Sequence, residues 1–202
     1  MIMFRLSIPA ALLLTAACSQ APAEAPPLAQ GSWSVDTGAS SLSYVSVKSG
    51  EIAEANTFSG LSGTVAEDGS ATLQIDLASL ETKVDIRNER MRDIFFEVAQ
   101  YPTATVTAKI DASAFDKLGV GETTVQPLDA TLNVKGVEAP VSTQVSVTRI
   151  AEDRVMATST EPVIVYADAL ELTEGLAKLQ EIAGLPSITP AVPVTFSIAF
   201  QR

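Results

Sequence analysis

From Trp33 onward, apolar and polar residues alternate with a period of two, and that rhythm restricts the fold more than any other feature of the chain. Successive side chains of a β-strand point to opposite faces, so a period of two marks a strand with one face to bury. In "ATLQIDL", Leu73, Ile75 and Leu77 share a face; in "ATVTAKI", Ala104, Val106, Ala108 and Ile110 do; in "LDATLNV", Leu128, Ala130, Leu132 and Val134 do. The last segment, "AVPVTFSIAF", lines up Val192, Val194, Phe196, Ile198 and Phe200. With "SLSYVSVK", "TFSGLSGTVA", "PVSTQVSVTRI" and "RVMATSTEPVIVY", the pattern predicts about eight strands in one all-β domain. Such strands bury their apolar faces either in a closed barrel or in a two-sheet sandwich, and periodicity alone does not separate the two. Ala104, Ala108, Ala130 and Ala157 are small and aromatics make up only 5% of the chain, which leaves room along a barrel axis. A solid core in which each small residue faces a large one fits the same pattern.

Two segments abandon this period. "NERMRDIFFEVA" sets Met91, Ile94, Phe95 and Val98 at helical spacing, with Asn88 as a candidate N-cap and Pro102 as a stop. "DALELTEGLAKLQEIAGLPS" carries Leu176, Leu179, Ile182 and Ala183 on one stripe ahead of Gly184 and Pro186, predicting a second helix before the last strand.

The opening segment is of a different kind. "MIMFRLSIPAALLLTAAC" has one basic residue, Arg5, an apolar run too short to span a bilayer, and small residues leading to the only cysteine. That is the layout of an export signal. The position of Cys18 after "LLLTAA" resembles a bacterial lipobox, in which the thiol is acylated and the preceding peptide removed; ordinary secretion with a free thiol is the other reading. "SQAPAEAPPLAQ" has no core pattern and reads as a Pro/Ala-rich tether. The resulting division is a signal peptide over 1–17, a lipidated tether over 18–31 and a β domain over 32–202. By resemblance to the lipoprotein sorting rule, Ser19 after the cysteine points to the periplasmic face of the outer membrane.

Charge and chemistry narrow the functions. A formal net charge of −11 disfavours a nucleic-acid partner, which normally meets a basic surface. With no histidine, there is no Ser-His or Cys-His nucleophile and no His-rich metal site, and the carboxylates fall mainly in turns and outward strand positions. No catalytic residue, metal ligand or cofactor is assigned, although two distant carboxylates meeting in space would still permit a hydrolase or isomerase. The basic residues of "DIRNERMRDIFF" stand out in so acidic a chain. Glu89 can pair with Arg92, and Arg90 with Asp93, at i,i+3 spacing, leaving Arg87 without a partner on its own helix. Salt bridging is one reading of the cluster. A ligand site built on Arg87 and Arg90 is the other, since Arg90 and Arg92 point to nearly opposite sides of a helix.

"WSVDTGASSLSYVSVKSG", "FSGLSGTV", "LQIDLASLETKVDIRNERMRD", "FFEVAQYPTATVTAKID" and "LNVKGVEAPVSTQVSV" follow one another over Trp33 to Val147, and "VPVTFSIAF" closes the chain. This ordered set resembles the YceI-like family. The resemblance implies a lipocalin-like eight-stranded antiparallel barrel, exported to the periplasm, whose apolar lumen holds a long isoprenoid. Where many members read Arg-Asp-x-His-Leu, "RNERM" keeps Arg87 and puts Asn88 and Arg90 at the acid and histidine positions. Candidate ligand-binding residues are Arg87, Arg90, Phe95 and Phe96 at the barrel mouth, with Leu73, Ile75, Val106, Ala108, Ala130, Leu132, Phe196 and Ile198 in the lumen. The expected function is to sequester or carry an isoprenoid of prenyl phosphate or quinone type, with membrane contact through the Cys18 anchor alone. The alternative is a tethered, non-enzymatic interaction protein of the envelope whose barrel core is packed solid.

Overall fold

The computed structural model describes Leu28 and residues 31–202, so the predicted signal, Cys18 and nearly all of the tether lie outside the described residues. The strands run as an antiparallel meander. β1 (Trp33–Val35) and β2 (Ser41–Lys48) are two halves of one strand, kinked at a 3-10 turn over Thr37–Ala39, where the Asp36 carboxylate accepts from the Gly38 amide at 3.1 Å. β3 (Ile52–Phe58) and β4 (Leu61–Val65) form the second, broken at Ser59 and Gly60. β5 (Ser70–Asp76) follows, then the two-residue β6 (Leu80–Glu81).

After the first helical segment come β7 (Thr103–Lys109), the long hairpin of β8 (Thr123–Val134) and β9 (Val137–Ala151), β10 (Arg154–Ser159) with its continuation β11 (Val163–Tyr166), and β12 (Ala191–Gln201). β12 closes the barrel. One edge pairs with β10 and then β11, while the other pairs with β1 and then β2. The ring β1-β4-β5-β7-β8-β9-β10-β12 returns to β1, a closed eight-stranded antiparallel barrel rather than a sandwich. Closure removes the exposed edges that an open sheet would carry.

Register explains the interior. Leu73 pairs with Val106, Val106 with Leu132, and Leu132 with Ala139, so one rung of apolar side chains crosses four strands. The next rung toward the Trp33 end joins Ala71, Ala108, Ala130 and Val141. Three consecutive alanines there cannot fill a barrel of this girth, which is the physical origin of the lumen described below.

The helices depart from expectation in detail. α1 spans Asp85–Arg90, starting three residues before the predicted cap, and widens into a π-helical turn over Met91–Phe95. Asn88 is therefore not an N-cap. Its buried amide oxygen accepts from the Thr82 amide at 2.8 Å and the Thr82 hydroxyl at 2.6 Å, tying the helix to the strand before it. α2 spans Thr173–Ala183 and ends at Gly184, whose φ of 63° suits a residue without a Cβ. Gly175 lets α2 approach the π turn, since a Cβ there would lie 3.3 Å from the Phe95 ring. Of the predicted α2 stripe, Leu176, Leu179 and Ala183 face the lumen, but Ile182 is 41% exposed.

Candidate functional site

A cavity of about 820 Å3 occupies the barrel and continues between β2, β3, α1 and α2. All twelve predicted ligand-binding residues line it. Leu73 and Ile75 reach it from β5, Val106 and Ala108 from β7, Ala130 and Leu132 from β8, and Phe196 and Ile198 from β12. Arg87 and Arg90 come from α1, and Phe95 and Phe96 from the π turn. The two phenylalanines sit edge to face with centroids 4.8 Å apart, and Phe96 meets Phe58 in the same way at 6.0 Å. They seat the helical segment on the barrel, as aromatic pairs of this geometry do.

The two ends of the cavity are built differently. At the Trp33 end, Leu28, Trp33 and Leu118 form a buried cluster against Val65, Phe115, Val147, Val155 and Phe200. The Arg202 guanidinium lies 4.5 Å from the centre of the Trp33 ring, and the buried Arg149 donates to the Leu118 carbonyl at 3.0 Å, holding the covering loop down.

The opposite end is polar. Tyr44, Ser46 and Lys48 from β2, Asn56 from β3, Thr82, and Arg87 and Arg90 from α1 all reach the cavity there. Lys48 Nζ and Arg87 Nη1 both meet Glu54 Oε2, at 2.5 and 2.6 Å, and Arg87 Nη2 donates to the Thr82 carbonyl at 2.5 Å. The hydrogen bond from Lys48, together with the nearby Arg87 charge, holds the Glu54 carboxyl below its usual range despite partial desolvation. Burial pushes the Tyr44 phenol up, only partly offset by Arg87.

Arg87 is thus paired, by a partner from a strand that helical spacing could not reveal. The pairs expected within the helix, Glu89 with Arg92 and Arg90 with Asp93, do not form among the described residues. The reason is local: the backbone switches to π geometry at Met91, so α-helical i,i+3 neighbours no longer face each other. Arg92 instead donates to the Ala78 carbonyl at 3.3 Å and is not among the residues lining the cavity. Arg90 lines it with no hydrogen bond or ion pair among the described residues, so the predicted division between Arg90 and Arg92 holds in space.

Sequence reasoning missed Tyr44, Ser46, Lys48, Glu54 and Asn56. The signal was available in "SLSYVSVK", where the inward face runs Leu42, Tyr44, Ser46, Lys48 and turns polar toward the hairpin. "IAEANTF" mirrors it, with Glu54 and Asn56 before Phe58.

The model of the YceI-like domain matches residues 33–200. The chain belongs to the YceI-like family. Among solved structures, this YceI-like chain is similar to a polyisoprenoid-binding domain from Saccharophagus degradans implicated in plant cell wall breakdown, at 38% identity and a TM-score of 0.81, covering 84% of this chain and 97% of that one. BcnA of Burkholderia cenocepacia shares the fold at 22% identity and a TM-score of 0.63, covering 82% of this chain and 98% of the other. No curated protein matches the chain.

Proposed function

We propose that this protein is a lipid-binding protein of the bacterial periplasm that holds a long isoprenoid, of prenyl phosphate or quinone type, in the barrel lumen for sequestration or transport. The carrying observation is the cavity: about 820 Å3, walled by aliphatic and aromatic side chains, plugged at one end and polar at the other. Its size lies toward the upper end of the roughly 300–1,000 Å3 common for small-molecule sites. A long apolar chain with one polar terminus matches that asymmetry. Affinity would come mainly from the tail, at about 25 cal/mol per Å2 of buried apolar area before the costs of association. Membership in a family with a solved polyisoprenoid-binding relative at 38% identity supports the reading. The packed-core alternative has no support in a barrel with this much open interior.

Mass spectrometry of an organic extract from freshly purified protein is the direct test. The expected result is a lipid whose fragments step by one isoprene unit. Recovery of no lipid, together with no uptake of added prenyl compounds, would remove the proposal.

The proposed location rests on the first eighteen residues, whose apolar run and small residues before Cys18 support export and acylation. Cys18→Ser should move the protein from the envelope pellet to the soluble fraction. A wild-type protein without acyl mass, and a variant that still pellets, would remove the anchor from the account.

A further inference from the structure

The ring of strands is closed, but its seam between β7 and β8 is made over only part of its length. The register starts with Thr105 opposite Asn133 and stops with Ala108 opposite Ala130, although β8 goes on pairing with β9 as far as Thr123 opposite Thr148. Beyond Ala108 each strand is held by its other neighbour. Lys109 pairs with Ser70 on β5, its ammonium meets the Asp68 carboxylate at 3.1 Å, and the Ile110 amide donates to the Gly69 carbonyl at 2.8 Å. On the opposite bank, residues 123–129 make no ladder with β7 among the described residues. Pro127 stands in that free stretch, and a proline, with no N–H to give to a ladder, belongs in a sheet at an edge. It keeps the split from zipping up.

The cavity reaches this split from inside. Ile110 and Ala114 line it on one bank, Pro127 and Leu128 on the other, and Ala114 and Pro127 are also solvent-exposed. A residue that is exposed and lines the cavity stands where the cavity meets solvent. From outside, a depression over the same strands is lined by Ala108, Lys109 and Ala130, all of which line the cavity as well. The wall is thin there because methyl groups separate the two spaces where larger side chains would fill them.

We propose that the split between β7 and β8 is a side opening of the lumen, through which the distal end of a long isoprenoid leaves the barrel. This rests on the proposed function, which puts the tail in the lumen. The apolar plug over Trp33 blocks a straight exit, so a chain that outgrows the interior has to turn aside. The split adjoins the plug, since Phe115 packs on the Trp33 cluster and lines the cavity. The ligand class is then a prenyl chain longer than the interior. Carbons beyond the opening return to water and bury no further area, so affinity levels off with chain length instead of falling.

The test is photo-cross-linking of the purified full chain with decaprenol carrying a diazirine on its last isoprene unit, the labelled residues being located by peptide mass spectrometry. Labels are expected within residues 109–115 and 126–128. In parallel, Leu128→Trp should obstruct the split and weaken decaprenol at least about tenfold relative to geranylgeraniol, whose affinity also reports on folding. Labels confined to the plug, at Trp33 or Val147, or to the other end, at Val84 or Ile86, would overturn the side opening while leaving lipid binding intact. So would an affinity ratio that Leu128→Trp leaves unchanged. If neither alcohol binds the unaltered protein, the proposed function falls and the side opening with it. Should Leu128→Trp fail to fold, the labelled positions in the unaltered protein decide alone.

Discussion

The barrel is plugged by apolar side chains at one end and lined by polar ones at the other. At the Trp33 end, apolar side chains meet each other, Arg149 and Arg202 are spent on carbonyls and an aromatic face, and Arg154 meets the Asp36 carboxylate while its Nε is buried without a partner. At the Lys48 end, two cations share one carboxylate, Asn56 Oδ1 and Arg87 Nε are left over, and Arg90 lines open space. Both ends belong to the same pair of strands, since β1 starts at the plug and β2 ends at the hairpin by Lys48. Stability and ligand access are divided between the two ends. The apolar plug anchors the barrel, and the cationic side chains of the polar end, Arg87 and Arg90, line the cavity.

The sharpest way to break this comparison is to weaken the plug. Trp33 is 8% exposed and is the chain's only tryptophan. Trp33→Ala should cost about 3–5 kcal/mol, as removal of a large buried aromatic does. The loss would be read by far-ultraviolet circular dichroism in urea, because the intrinsic fluorophore goes with the substitution. A change below about 1 kcal/mol would mean that the plug is not a stabilising element.

Between the ends, Ala130→Leu sharpens the contrast. If the rung of Ala71, Ala108 and Ala130 borders open lumen, the added carbons occupy space meant for a lipid tail. Affinity for a long prenyl compound should fall at least about tenfold, an estimate from the apolar area displaced, while thermal stability changes little. A solid core would respond the other way, with overpacking costing about 1–3 kcal/mol and no effect on a ligand. Stability loss without affinity loss is therefore the outcome against the lumen.

How much of this was legible in the sequence follows from the range over which each signal acts. Period two is local, so the strands and the inward identity of Leu73, Val106, Ala130 and Ile198 could be read from short windows. Barrel closure was not, because it depends on β12 pairing with both β1 and β10, across 167 residues in the case of the Ser34 hydroxyl and the Gln201 carbonyl. The arginine cluster shows the same limit. Helical spacing placed Arg90 and Arg92 on different sides, yet the partner of Arg87 lies 33 residues away on β3. Asn88 was misread because Asn suits a cap equally well as a buried hydrogen-bonding link, and only the tertiary position of Thr82 decides between them.

The smallest expected effect tests the polar end. Arg87→Gln removes one of the two cations on Glu54, but Lys48 remains at 2.5 Å and both members of the Arg87 pair keep some solvent contact. The loss should be about 1 kcal/mol at neutral pH, measured from urea midpoints. The sign of its pH dependence follows from Glu54, whose carboxyl in the folded protein sits below its ordinary value of 4.5. A depressed carboxyl pKa contributes stability that is fully present above the unfolded value and is lost as the pH falls through the folded one. The gap between wild type and Arg87→Gln should therefore stay constant from neutral pH down to about 5 and close below the ordinary carboxylate range, once Glu54 is protonated. A gap that persists undiminished at the acid limit would assign the contribution of Arg87 to its bond with the Thr82 carbonyl, and the carboxylate would then be a spectator at the cavity mouth.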